Sequence, residues 1–439
     1  MRVLFINSVC GIGSTGRICT DLAKKLEAEG HEVKIAYGRG EVLEQFKKYA
    51  IRIGTDFDWK LHALQTRLFD TNGFGSSNAT RKFLQWAETY KPNMLWLHNI
   101  HGYYINVEML FAWIKKHPEM EVKWTLHDCW AFTGHCSHFT VAKCEQWKTE
   151  CRECVQKDRY PKCLLFSNVK KNYQRKKNAF TGVQNLTLIT PSQWLANLTK
   201  ESFLKDYPVE VHYNTIDKTV FKPTPSDFRQ RYGLEDKFIV IGVANIWDER
   251  KGLKDFYKLA QMLDEHYAIV LVGLSKKQIS ALPKKIKGLK RTNSTEELAA
   301  IYTAADVCVN PSKEETFGMT TAEAEACGTS TVVYKDTDCE KVAYLNKSLV
   351  VEQNVEALYK AITGKAFVGE MLFKCYKLVC IPRTASAGEL AEIYTAADVF
   401  ANPTYEDNYP TVNLEAIACG TRVVTYDTGG CRETIYTKE

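Results

Sequence analysis

Short apolar runs alternate with longer amphipathic stretches along most of the chain. The first unit reads "VLFIN" (3–7), "GRICTDLAKKLEAEG" (16–30) and "VKIAY" (33–37). Unbroken runs of Val, Ile and Leu are typical of strands buried on both faces of a parallel sheet, and apolar positions every three to four residues are typical of helices. The pattern therefore predicts β-α-β units, whose ligands bind beyond the carboxyl ends of the strands.

The alternation falls into two series. The first continues through "NMLWLH" (93–98), "VKWTLHD" (122–128) and "LTLITPS" (186–192), and it stops at residues 211–225, a polar segment with two prolines. Such a segment is typical of an extended linker. A second series begins at "KFIVIGVAN" (237–245). We therefore expect two doubly wound, Rossmann-like α/β domains that face a cleft, an N-terminal domain of residues 1–213 and a C-terminal domain of residues 214–368.

The chain also contains an internal repeat. The heptapeptide "IYTAADV" occurs at 301–307 and again at 393–399, which gives a register of 393 − 301 = 92 residues. "NP", "EA" and "CGT" recur in the same register. One repeat is too few for a solenoid. We therefore expect residues 369–439 to be a partial duplicate, a β-α-β-α-β fragment added to a complete domain.

Composition narrows the class of protein. The 439 residues are 45% apolar and 25% charged, with a formal net charge of +6 at pH 7. These values are ordinary for a soluble globular protein of more than one domain, and they exclude a disordered chain. A charge of +6 does not indicate a nucleic-acid partner. Because no cleavage site follows the first apolar run and no run reaches the roughly 20 residues of a membrane span, we expect a cytoplasmic protein.

A glycine-rich turn follows the first predicted strand. The sequence "GIGSTG" (11–16) precedes a predicted helix, so its amides, with Gly13 at the centre, are candidates to face an anionic group. The second strand ends in "YGRG" without an acidic residue, which leaves NADP, held through Arg39, as the dinucleotide alternative. An NADP-dependent oxidoreductase is therefore one alternative function. A glycine-rich turn that serves only chain geometry is the other interpretation of this motif.

Polar side chains end three of the predicted strands abruptly. Histidines in proteins are more often structural than functional, but polar residues at the carboxyl ends of buried strands reach the cleft. A pair of cations before a helix suits a diphosphate, since Arg binds in bidentate fashion and Lys as a point charge. The alternative for that pair is a solvated basic turn. The candidates are His98, Asn99 and His101 after one strand, His127 and Asp128 after another, and Arg250 and Lys251 in the second domain.

Two glutamates eight residues apart follow the strand "DVCVNP" (306–311). Glu315 lies in the predicted loop, and Glu323 lies in the first turns of the helix, pointing back toward the same cleft. Between them, the amides of Phe317, Gly318 and Met319 are candidates to hold phosphate. The two carboxylates can then accept hydrogen bonds from sugar and ribose hydroxyls. We expect both to be ionised, with no need for a shifted pKa.

These motifs together resemble a known family. The run "NPSKEETFGMTTAEAEACGTSTVV" (310–333) is similar to the E-x7-E region of retaining GT-B glycosyltransferases of family four, which build bacterial capsular and lipopolysaccharide glycans. "KG" (251–252), "NTID...F" (214–221) and "LHD" (126–128) resemble the family's other landmarks in the same order. The resemblance covers residues 1 to about 365. It implies transfer of a sugar from a UDP- or GDP-sugar to a glycan or a polyprenyl-diphosphate-linked acceptor, with retention of configuration.

The resemblance also implies roles for individual residues. Glu323 would hold the ribose and Glu315 the transferred sugar, while Lys251 would neutralise the diphosphate. His127 would contact the sugar near the reacting carbon, and the Gly13 loop would face the phosphates. Retaining transfer by the leaving phosphate needs neither an enzyme nucleophile nor a catalytic cofactor.

The chain departs from the family pattern at one donor-binding position. Where the family has Gly-Arg after the first strand of the second domain, this chain has Ala244-Asn245. We therefore assign the arginine role to Arg250 and keep Asn245 as a donor-binding candidate. In the duplicate, Asp407 replaces Glu315 and Pro410 replaces Gly318, so we expect the first copy to hold the donor. A third hypothesis, a catalytically inactive transferase-like binding protein, remains open at this point.

A cysteine-rich insertion is predicted at 129–163. The chain has 15 cysteines, and the spacing of four of them ends in C-x2-C, which is typical of a structural zinc site, with reduced thiols as the alternative. The four candidates are Cys136, Cys144, Cys151 and Cys154. The basic segment 168–180 is either a solvated helix face or a contact to anionic lipid, so peripheral attachment to the inner face of the membrane is a further expectation.

Overall fold

The structure is a computed structural model that describes residues 1–364, 384, 386–403, 410–425, 431 and 434. It divides into two compact units, Met1–Phe373 and Lys374–Glu439. The expected boundary between residues 368 and 369 lies outside the described residues.

The first half of the larger unit is built on a seven-stranded parallel sheet with the order β3-β2-β1-β4-β5-β6-β7. Its strands are β1 (Arg2–Asn7), β2 (Glu32–Tyr37), β3 (Ala50–Arg52), β4 (Met94–Leu97), β5 (Glu121–Thr125), β6 (Leu186–Thr190) and β7 (Val209–Val211). The connecting helices are α1 (Gly13–Ala28), α2 (Asp56–Phe69), α3 (Ser77–Tyr90), α4 (Val107–Ile114), α5 (Val169–Phe180) and α6 (Gln193–Glu201).

The second half of this unit has a six-stranded parallel sheet with the order β10-β9-β8-β11-β12-β13. Its strands are β8 (Phe238–Val243), β9 (Tyr267–Val272), β10 (Ile286–Leu289), β11 (Val307–Asn310), β12 (Thr331–Tyr334) and β13 (Leu349–Val351). The helices are α7 (Phe228–Tyr232), α8 (Leu253–Met262), α9 (Lys276–Ser280), α10 (Thr295–Ala304), α11 (Met319–Ala326) and α12 (Val355–Thr363).

Both sheets have helices and core on each face, as the sequence predicts. Five of six residues of β1 and all four residues of β11 are buried. Each sheet has one apolar cluster per face. Strand β1 begins the first sheet and β8 begins the second, and both lie next to the place where the strand order reverses. Ligand sites of doubly wound sheets form at this place. Among the described residues, no helix is both long and apolar enough to cross a membrane.

The smaller unit repeats a piece of the second sheet. It contains α13 (Ala387–Ala396), β14 (Val399–Asn402), α14 (Thr411–Ala418) and β15 (Arg422–Thr425). The first three begin 92 residues after α10, β11 and α11, and β15 begins 91 residues after β12. Serine caps both first helices, Ser294 on α10 and Ser386 on α13. The two strands pair only with each other among the described residues, and β14 is largely exposed. Asp407 lies outside the described residues.

Candidate active site

Two histidines meet at the carboxyl ends of β4 and β5. The Nδ1 of His98 and the Nε2 of His127 are 2.9 Å apart, within hydrogen-bond distance, and the two rings are stacked. Burial lowers the pKa of His127 to about 4, and burial together with the nearby His127 holds the pKa of His98 well below its usual value, so both are neutral at pH 7. His98 is 1% exposed. This burial does not fit direct contact with an acceptor, and the hydrogen bond fits a role for His98 in holding the ring of His127.

Asp128 and His101 form a second polar pair beside them. The Nε2 of His101 lies 3.0 Å from the Oδ2 of Asp128, and the amide of Trp130 donates to the other carboxylate oxygen. Burial would raise the pKa of Asp128, but the charges and hydrogen bonds of His101, His138 and Trp130 lower it overall. Asp128 is therefore a fixed anion. The backbone amide of Asn99 donates to Asn7, which joins this group to β1.

The glycine-rich turn lies at the start of α1, as predicted. Gly13 has a φ of 66°, and a Cβ at this position would meet no atom within 4 Å, so the space in front of it is open. One turn further along α1, the charge of Arg17 acts on Glu323 in the second half of the unit. Arg39, on which the NADP alternative depends, instead lies 5.9 Å over the ring of Trp59.

The cationic turn before α8 meets the glutamate loop. The Nζ of Lys251 forms an ion pair with Glu315, and the guanidinium of Arg250 donates to the backbone oxygen of Glu314. Burial would raise the pKa of Glu315, but Lys251 and Arg250 hold it below its usual value. Glu315 is therefore ionised, as the sequence predicts. Asn245, in contrast, is exposed, and no described contact joins it to this group.

The helix α11 begins at a glycine that no other residue can replace without strain. Gly318 has a φ of 84°, and a Cβ there would lie 2.7 Å from the Sγ of Cys339. Phe317 is buried and Met319 half-buried at the same turn. In the duplicate, Pro410 has a φ of −70°, since proline cannot adopt the left-handed conformation. The left-handed turn that exposes helix amides thus occurs only in the first of the two described copies.

Glu323 differs from the sequence prediction in its protonation. Its side chain is buried and accepts a hydrogen bond of 3.2 Å from the hydroxyl of Tyr302. Burial raises its pKa to about 7, while the Arg17 charge and the Tyr302 hydrogen bond act in the opposite direction. The expectation of an unshifted pKa is therefore wrong for Glu323, because the Arg17 charge and the Tyr302 hydrogen bond do not offset the loss of water. Tyr302 belongs to the repeated heptapeptide, which was the available sequence signal.

Glu314 is a residue that sequence reasoning missed. Its side chain is 1% exposed, and its two oxygens accept from the amides of Phe139 and Thr140 at 3.2 Å each. The Nδ1 of His138 lies 3.5 Å away. The cysteine-rich insertion of the first half therefore holds the glutamate loop of the second half by its backbone. No spacing in the sequence could have indicated this contact between segments 175 residues apart.

We expect Glu314→Gln to destabilise the chain. A glutamine offers one acceptor oxygen where two amides now donate, so one buried amide loses its partner. The free energy of unfolding should fall by about 2 to 4 kcal/mol in urea denaturation. The exposed Glu265→Gln should change it by less than about 0.5 kcal/mol. Equal stability of the two variants would show that the contact between the insertion and the loop contributes nothing.

The four cysteines come together in the insertion. All four line one small cavity of about 20 Å³ with His135, whose Nδ1 is 2.6 Å from the buried carboxylate of Asp70. All described cysteines are free thiols. However, among the described residues no three His, Cys, Asp or Glu side chains are grouped so that they could hold a metal ion. The four cysteines are Cys136, Cys144, Cys151 and Cys154.

Comparison with known proteins identifies the family. Two family models described as "Glycosyl transferases group 1" match the chain, one over residues 237–364 and the other over residues 377–439. The chain therefore contains two segments of the glycosyl transferases group 1 type. The second match supports the duplication, since it begins close to the smaller unit.

Two curated relatives of this group 1 chain are each 29% identical over part of their length. One is the "Putative colanic acid biosynthesis glycosyl transferase WcaC" of Escherichia coli (strain K12), matched over 170 residues, 37% of this chain and 41% of the relative. The other is the "Alpha-galactosylglucosyldiacylglycerol synthase" of Streptococcus pneumoniae, matched over 176 residues, 37% of this chain and 44% of the relative. The matches thus span less than half of either relative's length.

Solved structures show the same fold for this group 1 chain. The sucrose-phosphate synthase of Thermosynechococcus elongatus has a TM-score of 0.62 at 18% identity, covering 85% of this chain and 91% of that one. WaaG, a glycosyltransferase involved in lipopolysaccharide biosynthesis, has 0.58 at 16%, covering 85% and 93%. Anabaena HepE in complex with UDP-glucose has 0.56 at 16%, covering 84% and 91%. The fold is therefore GT-B, as the sequence predicted.

Proposed function

We propose that the chain transfers a sugar from a nucleoside-diphosphate sugar to an acceptor hydroxyl with retention of configuration. The observation that carries the proposal is the pairing of Lys251 with the half-buried Glu315 at a cleft that also presents the neutral His127 and the open Gly13 turn. This arrangement offers cations and helix amides for a diphosphate and an anionic acceptor for sugar hydroxyls. The two segments that match glycosyl transferases group 1 support the same chemistry.

UDP is the first nucleotide to test as part of the donor. HepE, which shares the fold, has been solved with UDP-glucose. In this chain the positive charge of Arg17 acts on Glu323, and we propose that Glu323 accepts hydrogen bonds from the ribose hydroxyls. Ribose binding would then require the ionised carboxylate, whose pKa is raised to about 7 by burial.

The proposed mechanism needs no enzyme nucleophile. Lys251 and Arg250 stabilise the negative charge that develops on the departing diphosphate, which in turn accepts the proton of the acceptor hydroxyl on the same face of the sugar. Such preorganised charge is commonly the largest contribution to catalysis. His127, held by His98, is a neutral ring that can donate one hydrogen bond to a sugar oxygen, and it cannot serve as a cationic acid at pH 7 because burial lowers its pKa to about 4.

The acceptor side is proposed at the first half of the unit. His101 and Asn99 lie beside His127 at the carboxyl ends of the same sheet, and His101 also contacts the hydroxyl of Tyr160 at 3.3 Å. One curated relative bears a name from colanic acid synthesis and the other a name from glycolipid synthesis. We therefore propose a glycan or lipid-linked acceptor for this chain.

Thermal unfolding with UDP, GDP, ADP, CMP and NADPH tests the proposal first. UDP or GDP should stabilise the chain by about 2.7 kcal/mol at a concentration of 100 dissociation constants. The sugar nucleotide that stabilises is then incubated with lipid-linked oligosaccharide, and proton NMR reads the anomeric configuration of the product. Stabilisation by NADPH alone would exclude the transferase. Binding without any transfer would favour the inactive binding protein.

The zinc site stays a prediction, which metal analysis of the purified full-length chain can test. All four thiols line one cavity, and four cysteines are a common ligand set of structural zinc. We expect about one zinc per chain, and we expect Cys154→Ser to lose it while Cys327→Ser, a buried cysteine of the second half, retains it. Four titratable thiols without zinc would establish the alternative of reduced cysteines.

A further inference from the structure

An apolar surface of the first half of the unit lies open to solvent. Phe57, Leu61 and Leu64 are 72%, 43% and 53% exposed, and their spacing of four and three residues places them on one face of α2. The loop after the cysteine-rich insertion adds Leu164, Leu165 and Phe166, which are 58%, 61% and 63% exposed. We call these six residues and Phe69 the apolar strip.

The two parts of the apolar strip are joined by backbone and ring contacts. The amide of Leu164 donates to the oxygen of Arg67 at 2.7 Å, and the amide of Phe166 donates to the oxygen of Leu68 at 3.0 Å. The rings of Phe69 and Phe166 stack at 6.0 Å with an angle of 6° between their planes. The loop therefore continues the exposed face of α2. Soluble proteins seldom expose a contiguous apolar surface of this kind unless it binds something.

Basic side chains flank the apolar strip. Lys60 and Arg67 are exposed on one flank of α2, seven residues apart. The segment 157–171, which carries the exposed loop, has five Lys or Arg residues and a single acidic residue, Asp158. Asp56 and Asp58 also lie on α2, beside Phe57, so the rim carries seven basic and three acidic residues in total. An apolar face with an excess of cations at its rim is the complement of an anionic bilayer surface, since apolar side chains enter the acyl boundary and cations remain at the headgroups.

Contact with anionic lipid was one of two interpretations of the basic segment 168–180, and the structure changes which residues can make such a contact. Lys176 is buried, with its Nζ bonded to the oxygens of Trp130 and Thr133, and Arg175 is paired with Glu108. The segment is therefore not one solvated basic face. Lys170 and Lys171 in its first turn are exposed and follow Phe166 closely along the chain, although the ammonium of Lys170 lies 3.6 Å from Glu150.

We propose that the apolar strip docks the chain on an anionic lipid bilayer. The location of the apolar strip relative to the candidate active site supports a bilayer as its occupant. The indole of Trp59 on α2 donates to the oxygen of Gly102, and Tyr160, just before the exposed loop, contacts His101. A bilayer on the apolar strip would thus lie on the acceptor side of the cleft. The inference deepens the proposed function by giving the acceptor a membrane carrier, but lipid binding itself can be measured without catalysis.

Vesicle sedimentation of the full chain tests the proposal. The chain should pellet with vesicles of phosphatidylethanolamine and phosphatidylglycerol, and weakly with phosphatidylcholine alone. Leu165→Ser with Phe166→Ser should lower the partition coefficient by about tenfold or more, since two exposed apolar side chains are removed. Lys60→Glu with Arg67→Glu should lower the partition coefficient by about fivefold per lost cation. The double variant should also make vesicle binding less dependent on salt concentration.

The matched control replaces two exposed apolar side chains of the second half, Tyr344→Ser and Val350→Ser, and should bind like the parent. The proposal is overturned if the parent fails to pellet with anionic vesicles, or if the Leu165 and Phe166 variant pellets equally well. It is also overturned if the parent is a dimer that this variant splits into monomers without any vesicle binding, since a second copy then occupies the strip. UDP should still stabilise the variant, so a failure of docking is distinguishable from a failure of the proposed function.

Discussion

Replacing Glu323 with alanine should abolish stabilisation of the chain by UDP. Glu323 is the buried carboxylate at the end of the cleft that faces Arg17, and we propose that it accepts the ribose hydroxyls. Alanine leaves those hydroxyls without the acceptor that Glu323 provides. At a UDP concentration that stabilises the parent by about 2.7 kcal/mol, the variant should show a shift close to zero in thermal unfolding.

The duplicate supplies a matched control. Glu415 occupies the position of Glu323 in the second copy, 92 residues later, but its side chain is exposed. Glu415→Ala should therefore keep the full response to UDP. A loss on Glu415→Ala with a normal response of Glu323→Ala would mean that the duplicate holds the donor, which would contradict the assignment of the site to the first copy.

Because the pKa of Glu323 is raised, the free energy of unfolding of the chain without nucleotide should depend on pH. Because its pKa is about 7 in the folded chain and 4.5 is its usual value, the folded chain binds the proton more tightly. The contribution to stability is thus most favourable below pH 4.5 and is lost as the pH rises to about 7. Without nucleotide, Glu323→Gln should match the parent near pH 4.5 and exceed it at pH 8 by about 3 kcal/mol at most.

Much of this fold could be predicted, because each central strand of the two sheets is a run of apolar residues. Strand β8 is such a run, and its carboxyl end leads directly to Arg250 and Lys251. The edge strands β3, β7 and β13 were not predicted. Each has three residues and is only partly buried, so it carries too short an apolar pattern to stand out from a loop.

The site was predictable only as far as residues follow strands along the chain. Each of the predicted site residues follows the carboxyl end of a strand by at most eight residues, namely His127 after β5, Lys251 after β8 and Glu315 after β11. The order of the strands in their sheets therefore determines where these residues lie. The roles of His98 and Glu314 depend on tertiary contacts, a neighbouring ring in one case and two backbone amides of a distant loop in the other. The pKa of Glu323 depends on burial, which spacing does not report.

Lys251→Ala should lower kcat by about 100- to 1,000-fold, which corresponds to the loss of one charged donor at a developing anion. The ammonium now pairs with Glu315 in a half-buried turn. Its removal deprives the departing diphosphate of a point charge, and it also raises the pKa of Glu315, which Lys251 holds down. Initial rates of transfer from the stabilising sugar nucleotide measure both kcat and KM. Lys251→Arg should restore part of the rate, because the charge returns in another shape.

The control for this prediction is Lys254→Ala, one turn further along the chain. Lys254 is exposed and its ammonium lies 3.6 Å from Glu249, so its removal should leave kcat unchanged. A Lys251→Ala enzyme with the parent kcat and only a raised KM would contradict the proposed role, since Lys251 would then bind substrate and transition state equally well. A loss of kcat that Lys251→Arg partly reverses would instead locate the charge at the leaving diphosphate, where a mechanism without an enzyme nucleophile needs it most.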